Sequence, residues 1–287
     1  MKTLPTLLAM VLLAMGGSRP VHAQAATTDA TATKTTTATK PVGLNFSLEL
    51  SSAYAFRGLN VFGGGDQGAI RALLAPSITW TIFDTGLSLS WWSAYQVNGA
   101  NRSMMVDVGL GHEQDFVLGY SRNFLKDRLT LSAAFIAYIY PFASRRATDA
   151  DPPGAGTRCP VYLEPAVGLT YNGPVEVGLA VAYFAGVQRV LSDYRYLYLN
   201  PHVGKTFQVR STVALSIALS YGYKLFNDRH AVVDNVHDIR FDFELPISSL
   251  KPLIITPGVH VGWTNLKGLP VGDEYLIYGG LKVSYDL

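Results

Sequence analysis

Hydrophobic side chains at every second position limit this chain more than any other feature. From Leu44 to Leu287 apolar and polar residues alternate through one short segment after another. Successive side chains of a strand point to opposite faces, so each segment presents one greasy and one polar face. The segment from His237 to Ile247 shows this most cleanly, with Ile239, Phe241, Phe243 and Leu245 set against Asp238, Arg240, Asp242 and Glu244. The last segment sets Tyr275, Ile277, Leu281, Val283, Tyr285 and Leu287 against Tyr278, Gly280, Lys282, Ser284 and Asp286. The same pattern predicts strands at 44–57, 68–82, 87–96, 106–124, 129–140, 161–171, 175–184, 194–207, 212–223 and 253–263.

The connections between these strands sort by length. Short turns follow the second, fourth, sixth, eighth and tenth; longer segments follow the others. A water-soluble sandwich has no reason to separate its loops in this way. A transmembrane barrel does, with short periplasmic turns and longer outside loops. The expected fold is therefore an all-β, antiparallel, up-and-down transmembrane β-barrel of about 12 strands over residues 43–287. Composition agrees: charged residues are only 15%, and there are 27 Gly and 16 Tyr. Past the N-terminus no apolar run approaches the roughly 18 residues a membrane helix needs. Outward aromatics fall at strand ends, as girdles at the two headgroup levels would. Trp80, Phe124, Tyr171, Phe207 and Tyr285 are expected at one rim, and Phe56, Tyr95, Tyr183, Tyr223, Trp263 and Tyr275 at the other. Pro76, Pro165, Pro201, Pro246 and Pro257 fall inside predicted strands, where each removes a ladder hydrogen bond.

The N-terminus supplies an address. Lys2, the apolar stretch Leu4–Met15 and Val21-His22-Ala23 before Gln24 read as a secretory signal peptide over residues 1–23. Residues 24–42, rich in Ala and Thr, read as a disordered periplasmic tail. Removing residues 1–23 takes two of the 23 basic residues and none of the 21 acidic ones, leaving no net charge. No nucleic-acid partner is indicated. Cys159 stands alone, so no internal disulfide is expected. No metal-binding cluster or cofactor motif is present.

The polar phase lines the interior. It is small near the short turns, with Ser77, Thr79, Gly168, Thr170, Thr206 and Ser216. Near the long loops it brings Tyr138, Tyr140, Tyr162, Tyr196, Tyr198 and Tyr278, with Trp92 deeper. Arg57, Arg71, Glu164, Asp238, Arg240, Asp242 and Lys282 join them as candidate pore-lining charges, Asp115, Glu49 and Glu244 beside them. Such a lining implies either a constricted channel for small polar solutes or a narrow lumen filled by mutually satisfied groups. An enzyme would need a nucleophile beside His260 or His202, and no motif supplies one, so catalytic residues are not assigned.

Two resemblances sharpen this. The closing segment, ending Tyr285-Asp286-Leu287, resembles the C-terminal signal by which bacterial outer-membrane barrels engage their assembly machinery. That implies outer-membrane lipid and that machinery as partners, in a Gram-negative cell. Ser51-Ser52-Ala53-Tyr54-Ala55-Phe56-Arg57-Gly58-Leu59, with Gln67 and Pro76 beyond, resembles the first-strand signature of the TorF-type porin family. Ala137-Tyr138-Ile139-Tyr140-Pro141 and Tyr162-Leu163-Glu164 resemble two of its later motifs. The resemblance marks Arg57, Tyr138, Tyr140 and Glu164 and implies an outer-membrane porin.

Overall fold

The computed structural model describes residues 43–62, 72–97, 113–141, 144–145, 157–188, 195–226, 236–250, 252–265 and 275–287. The expected signal peptide, the Ala/Thr-rich tail and Arg71 lie outside the described residues.

Twelve strands build one closed wall. They are β1 (Leu44–Ser51), β2 (Leu73–Thr81), β3 (Leu87–Gln96), β4 (Glu113–Phe124), β5 (Leu129–Ile139), β6 (Val161–Asn172), β7 (Glu176–Gly186), β8 (Arg195–Arg210), β9 (Val213–Phe226), β10 (Val236–Glu244, resuming at Ile247–Leu250), β11 (Leu253–Thr264) and β12 (Tyr275–Asp286). Each pairs antiparallel with its neighbours in sequence. The circle closes where β12 pairs with β1, in a register running from Asn45 opposite Asp286 to Ser51 opposite Gly280. The Leu287 amide extends the seam by donating to the Leu44 carbonyl at 2.9 Å. A closed ladder satisfies the wall's backbone groups without water, as a hydrocarbon solvent requires.

The surface is inverted relative to a water-soluble protein. Large apolar side chains stand exposed along the outward phase of strand after strand, among them Phe46, Leu48 and Leu50 on β1, Phe116 and Leu118 on β4, and Val167 and Leu169 on β6. Buried positions, by contrast, carry Glu113, Asp115, Glu164, Lys224, Asp238 and Asp242. The charged groups face inward and the hydrocarbon outward, a pattern that suits a bilayer. The aromatic rims expected at the short-turn end are present, with Trp80, Phe124, Tyr171, Phe207 and Tyr285 all exposed.

The in-strand prolines are absorbed one side at a time. Along an antiparallel ladder a residue's N–H points to only one neighbour, so a proline forfeits a bond on one side alone. Pro76 keeps its place opposite Leu48 of β1, while the pairing of β2 with β3 is interrupted between Leu74 and Ser77. Pro165 stays opposite Phe135 but breaks the pairing with β7 between Leu163 and Ala166. Pro201 stays opposite Leu179 and breaks the pairing with β9 between Leu199 and His202. Only Pro246 interrupts its strand outright, and there the Leu245 amide reaches the Pro257 carbonyl at 2.9 Å.

One expectation fails. The first strand does not run on to Arg57; it stops at Ser51. Phe56, expected on the outward face, and Tyr54 two residues before it are buried inside the barrel. The physical reason is packing: beyond Ser51 the chain leaves the wall because Tyr54 and Phe56 bury against Leu73, Ala75 and Ala94, and Arg57 meets the Glu164 carboxylate across the lumen.

The inverted surface makes a direct prediction. Val167→Arg, on the outward face in mid β6, should destabilise the barrel by about 2–4 kcal/mol in lipid vesicles. Ala166→Ser, its lumen-side neighbour, should change little. Denaturant unfolding in vesicles checks both.

Candidate functional site

After Ser51 the chain turns inward. Ala55–Phe56 and Leu59–Asn60 pair as a two-stranded hairpin, Phe56 opposite Leu59. The Val61 amide donates to the Tyr54 carbonyl at 2.8 Å and lengthens the ladder. Its two-residue turn, Arg57-Gly58, has positive φ at both positions, 48° and 78°. Positive φ at both central residues is the requirement of a type I′ hairpin turn. Glycine meets it freely; arginine does so at a cost of about 1–2 kcal/mol.

Two sets of contacts offset that cost. Tyr54, Phe56, Val61 and Phe62 form an apolar cluster with Leu73, Ala75 and Ala94 on the β2–β3 wall, with Trp92 packed against it. Burying Phe56 and Phe62 contributes roughly 1.5–3 kcal/mol each. The Tyr54 hydroxyl donates to Glu113 Oε2 at 2.8 Å. Burial first, and the Glu113 carboxylate next, push this loop phenol well above its ordinary range, so it stays a donor.

The tip reaches the opposite wall. The Arg57 guanidinium lies 2.7 Å from Glu164 Oε1 on β6 and donates to the Tyr196 hydroxyl on β8 at 3.0 Å. It also sits over the Tyr198 ring, 4.2 Å from its centroid. Lys224 on β9 donates to the Arg57 carbonyl at 2.6 Å. Gly58 packs so closely on Asp238 of β10 and Thr264 of β11 that an added Cβ would meet both within 2.8 Å. The hairpin thus spans the lumen from β1–β2 to β6–β11.

Beside it runs a row of rings from adjacent strands. Tyr140 meets Tyr162 edge-on, Tyr162 stacks on Phe184 at 4.8 Å, and Phe184 stacks on Tyr196 at 4.9 Å. Tyr138 donates to Glu164 Oε1 at 3.2 Å. The Tyr198 hydroxyl donates to Asp238 Oδ1 at 3.1 Å. Deeper, Arg240 Nε lies 2.8 Å from Asp242 Oδ1, and His260 Nδ1 lies 2.5 Å from the same oxygen. His260 stacks on Tyr278 at 4.8 Å. At the seam Lys282 stands opposite Glu49.

The expected lining residues therefore divide. Arg57, Tyr138, Glu164, Tyr196, Tyr198 and Asp238 meet in one cluster. Tyr140 and Tyr162 belong to the ring row, and Trp92 packs under Tyr54 at 5.7 Å between centroids. Arg240, Asp242 and Tyr278 form a second group, and Lys282 a third. Arg57 is corrected from a strand to a hairpin tip. Sequence reading left out Tyr54, Phe56, Glu113, Lys224 and Phe184. The signal for the last three was there: each continues the inward phase of its strand. His202 Nδ1 lies 3.4 Å from the Asn200 carbonyl, and His260 is held by Asp242.

Among solved structures the chain is similar to several outer-membrane channels. They include the NanC porin (13% identity, TM-score 0.49, 85% of this chain and 100% of that one) and the KdgM porin in complex with disordered oligogalacturonate (12%, 0.48, 85% and 98%). An outer membrane channel from Pseudomonas putida F1 matches at 11% identity and TM-score 0.48, covering 86% of this chain and 96% of that one. No protein-family model matches the chain, and no curated protein matches it significantly. The architecture rests on the molecule's own closed ladder.

Removing one partner of a buried ion pair strands the other, at roughly 3–5 kcal/mol. Glu164→Gln should therefore loosen the hairpin, and Gly58→Ala should lift it from Asp238 and Thr264. In both variants trypsin should cut after Arg57, whose bond should resist cleavage in the wild type; mass spectrometry of the fragments reads the difference.

Proposed function

We propose that this protein is an outer-membrane, porin-like channel for small polar solutes, with the hairpin at residues 54–61 as its constriction. The observation that carries this reading is the contrast between the two halves of the lumen. Near the short turns the inward side chains are small, and hydroxyls pair across strands, Ser47 with Ser77 at 2.6 Å and Thr206 with Ser216 at 2.7 Å. Near the long loops the hairpin and its ion pair fill the section. A vestibule that narrows to one charged, aromatic-lined point is what solute selection needs. In this orientation the short turns face the periplasm and the long loops the exterior. The lipid of the outer membrane surrounds the wall, and the assembly machinery reads β12.

The resemblance to the TorF-type porin family gains support from geometry. Three of the four positions it marks, Arg57, Tyr138 and Glu164, lie far apart in sequence and meet through hydrogen bonds to one carboxylate oxygen.

Among the described residues, the lumen-facing acids Glu49, Glu113, Asp115, Glu164, Asp238, Asp242 and Glu244 outnumber the bases Arg57, Lys224, Arg240 and Lys282. An excess of acid favours cations in a pore. A second reading, a plugged structural barrel, has its own support in the deep burial of the hairpin aromatics.

Planar-bilayer recording separates the readings. The wild type should give discrete conductance steps, with a reversal potential shifted toward cations in a KCl gradient. Replacing residues 54–61 by a Gly/Ser linker should raise the step size several-fold. Steps only after that replacement would establish the plugged barrel, and silence from both proteins would remove the channel reading.

A further inference from the structure

Beneath the hairpin tip lies a cavity of about 80 Å³. Ala166 on β6, Ala180 and Ala182 on β7 and Ser220 on β9 form its floor and sides, and these small residues leave the space open. Two fixed acceptors line it. Glu164 uses Oε1 for both Arg57 and Tyr138, while its Oε2 is buried without a hydrogen-bond partner. Asn200 spends its amide N–H groups on the Tyr221 carbonyl at 3.1 Å and the Tyr198 hydroxyl at 3.4 Å, which leaves Oδ1 buried and likewise unpartnered. Both side chains are more than nine-tenths buried, at 2% and 3% exposure. Buried acceptors without donors are rare in folded proteins and call for a donor from elsewhere.

We infer that this cavity is a binding subsite for a small, uncharged, hydroxyl-bearing solute, whose O–H groups donate to Glu164 Oε2 and Asn200 Oδ1. The charges around it select against the alternatives. A solute carboxylate would lie beside Glu164 and Asp238, whose charges repel it. A solute ammonium would lie beside the guanidinium groups of Arg57 and Arg240, both on the cavity wall. Each of those cations is already matched by its own carboxylate, Glu164 and Asp242. An uncharged hydroxyl meets neither repulsion and supplies what both oxygens lack. Size narrows the class further. An apolar cavity of about 150 Å³ admits benzene, so this one suits a two- or three-carbon polyol or one edge of a larger sugar. The subsite rests on the channel reading only for the route by which a solute arrives; binding itself requires no conduction.

Three two-carbon probes of similar size test the charge rule: ethylene glycol, ethanolamine as its ammonium form, and glycolate. Saturation-transfer NMR on the folded barrel in detergent micelles reads each. The expected order is strong transfer to ethylene glycol and weak transfer to the two ions. Asn200→Leu removes one acceptor, and Ala180→Leu fills the space without touching a hydrogen bond. Each should cut the ethylene glycol signal by more than half, whereas Leu179→Ala on the lipid side should preserve it. Retained heat-modifiable migration on gels confirms that each variant is folded. Absence of transfer in the wild type, equal transfer in Ala180→Leu, or a stronger signal from either ion would overturn the proposal. A barrel that binds the glycol yet never conducts would leave the subsite standing and remove only the channel.

Discussion

The structure depends on one constraint: every backbone amide and carbonyl of the wall must find its partner within the wall. In water a stray group can turn to solvent; in hydrocarbon it cannot, and each failure costs several kcal/mol. Closure through β1 and β12 answers that constraint for the sheet as a whole. The prolines show how finely it is observed. Each of the four that sit inside an unbroken strand gives up pairing toward one neighbour and keeps it toward the other. A chain that closes its ladder can place alternate side chains freely, and function is written on the inner set.

Closure also creates a difficulty. Side chains alone fill the interior of an eight-stranded barrel, and a wider barrel leaves space. Here two devices share that space. Tyrosines and Phe184 extend inward from β5 to β8, and the hairpin after β1 fills the remainder. The ion pair of Arg57 and Glu164 belongs to this arrangement: it lets a charged loop tip settle in a buried place because the opposite wall presents a carboxylate, two phenols and a lysine to receive it. Burial of charge is expensive unless paired and hydrogen-bonded, and here both conditions hold.

Much of this was legible in the sequence, because a period of two is a local signal. Strand identity, loop parity and the inward phase of Tyr138, Tyr162, Glu164 and Asp238 follow from counting residues. The hairpin was not, because Tyr54 and Phe56 continue the outward phase of Leu44–Leu50 and so mimic a longer strand. The contrary signal was subtler: Arg57-Gly58 between apolar residues as a two-residue turn. Lys224 escaped because it stands one position past the predicted end of its strand. That Arg57 meets Glu164, 107 residues away, is a fact of closure and register that no local pattern encodes.

The hairpin has a mechanical meaning as well. A thin-walled cylinder of twelve strands resists stretching along its ladder far better than it resists being flattened, since ovalising it only bends the sheet. A segment rooted between β1 and β2 and fastened at β6, β8, β9 and β10 is a cross-brace on the diameter. It sets the distance between opposite walls, and with it the roundness of the section, against the lateral pressure of the surrounding bilayer. Loosening the tip would therefore change the shape of the whole tube at that level, beyond the space the loop itself occupies.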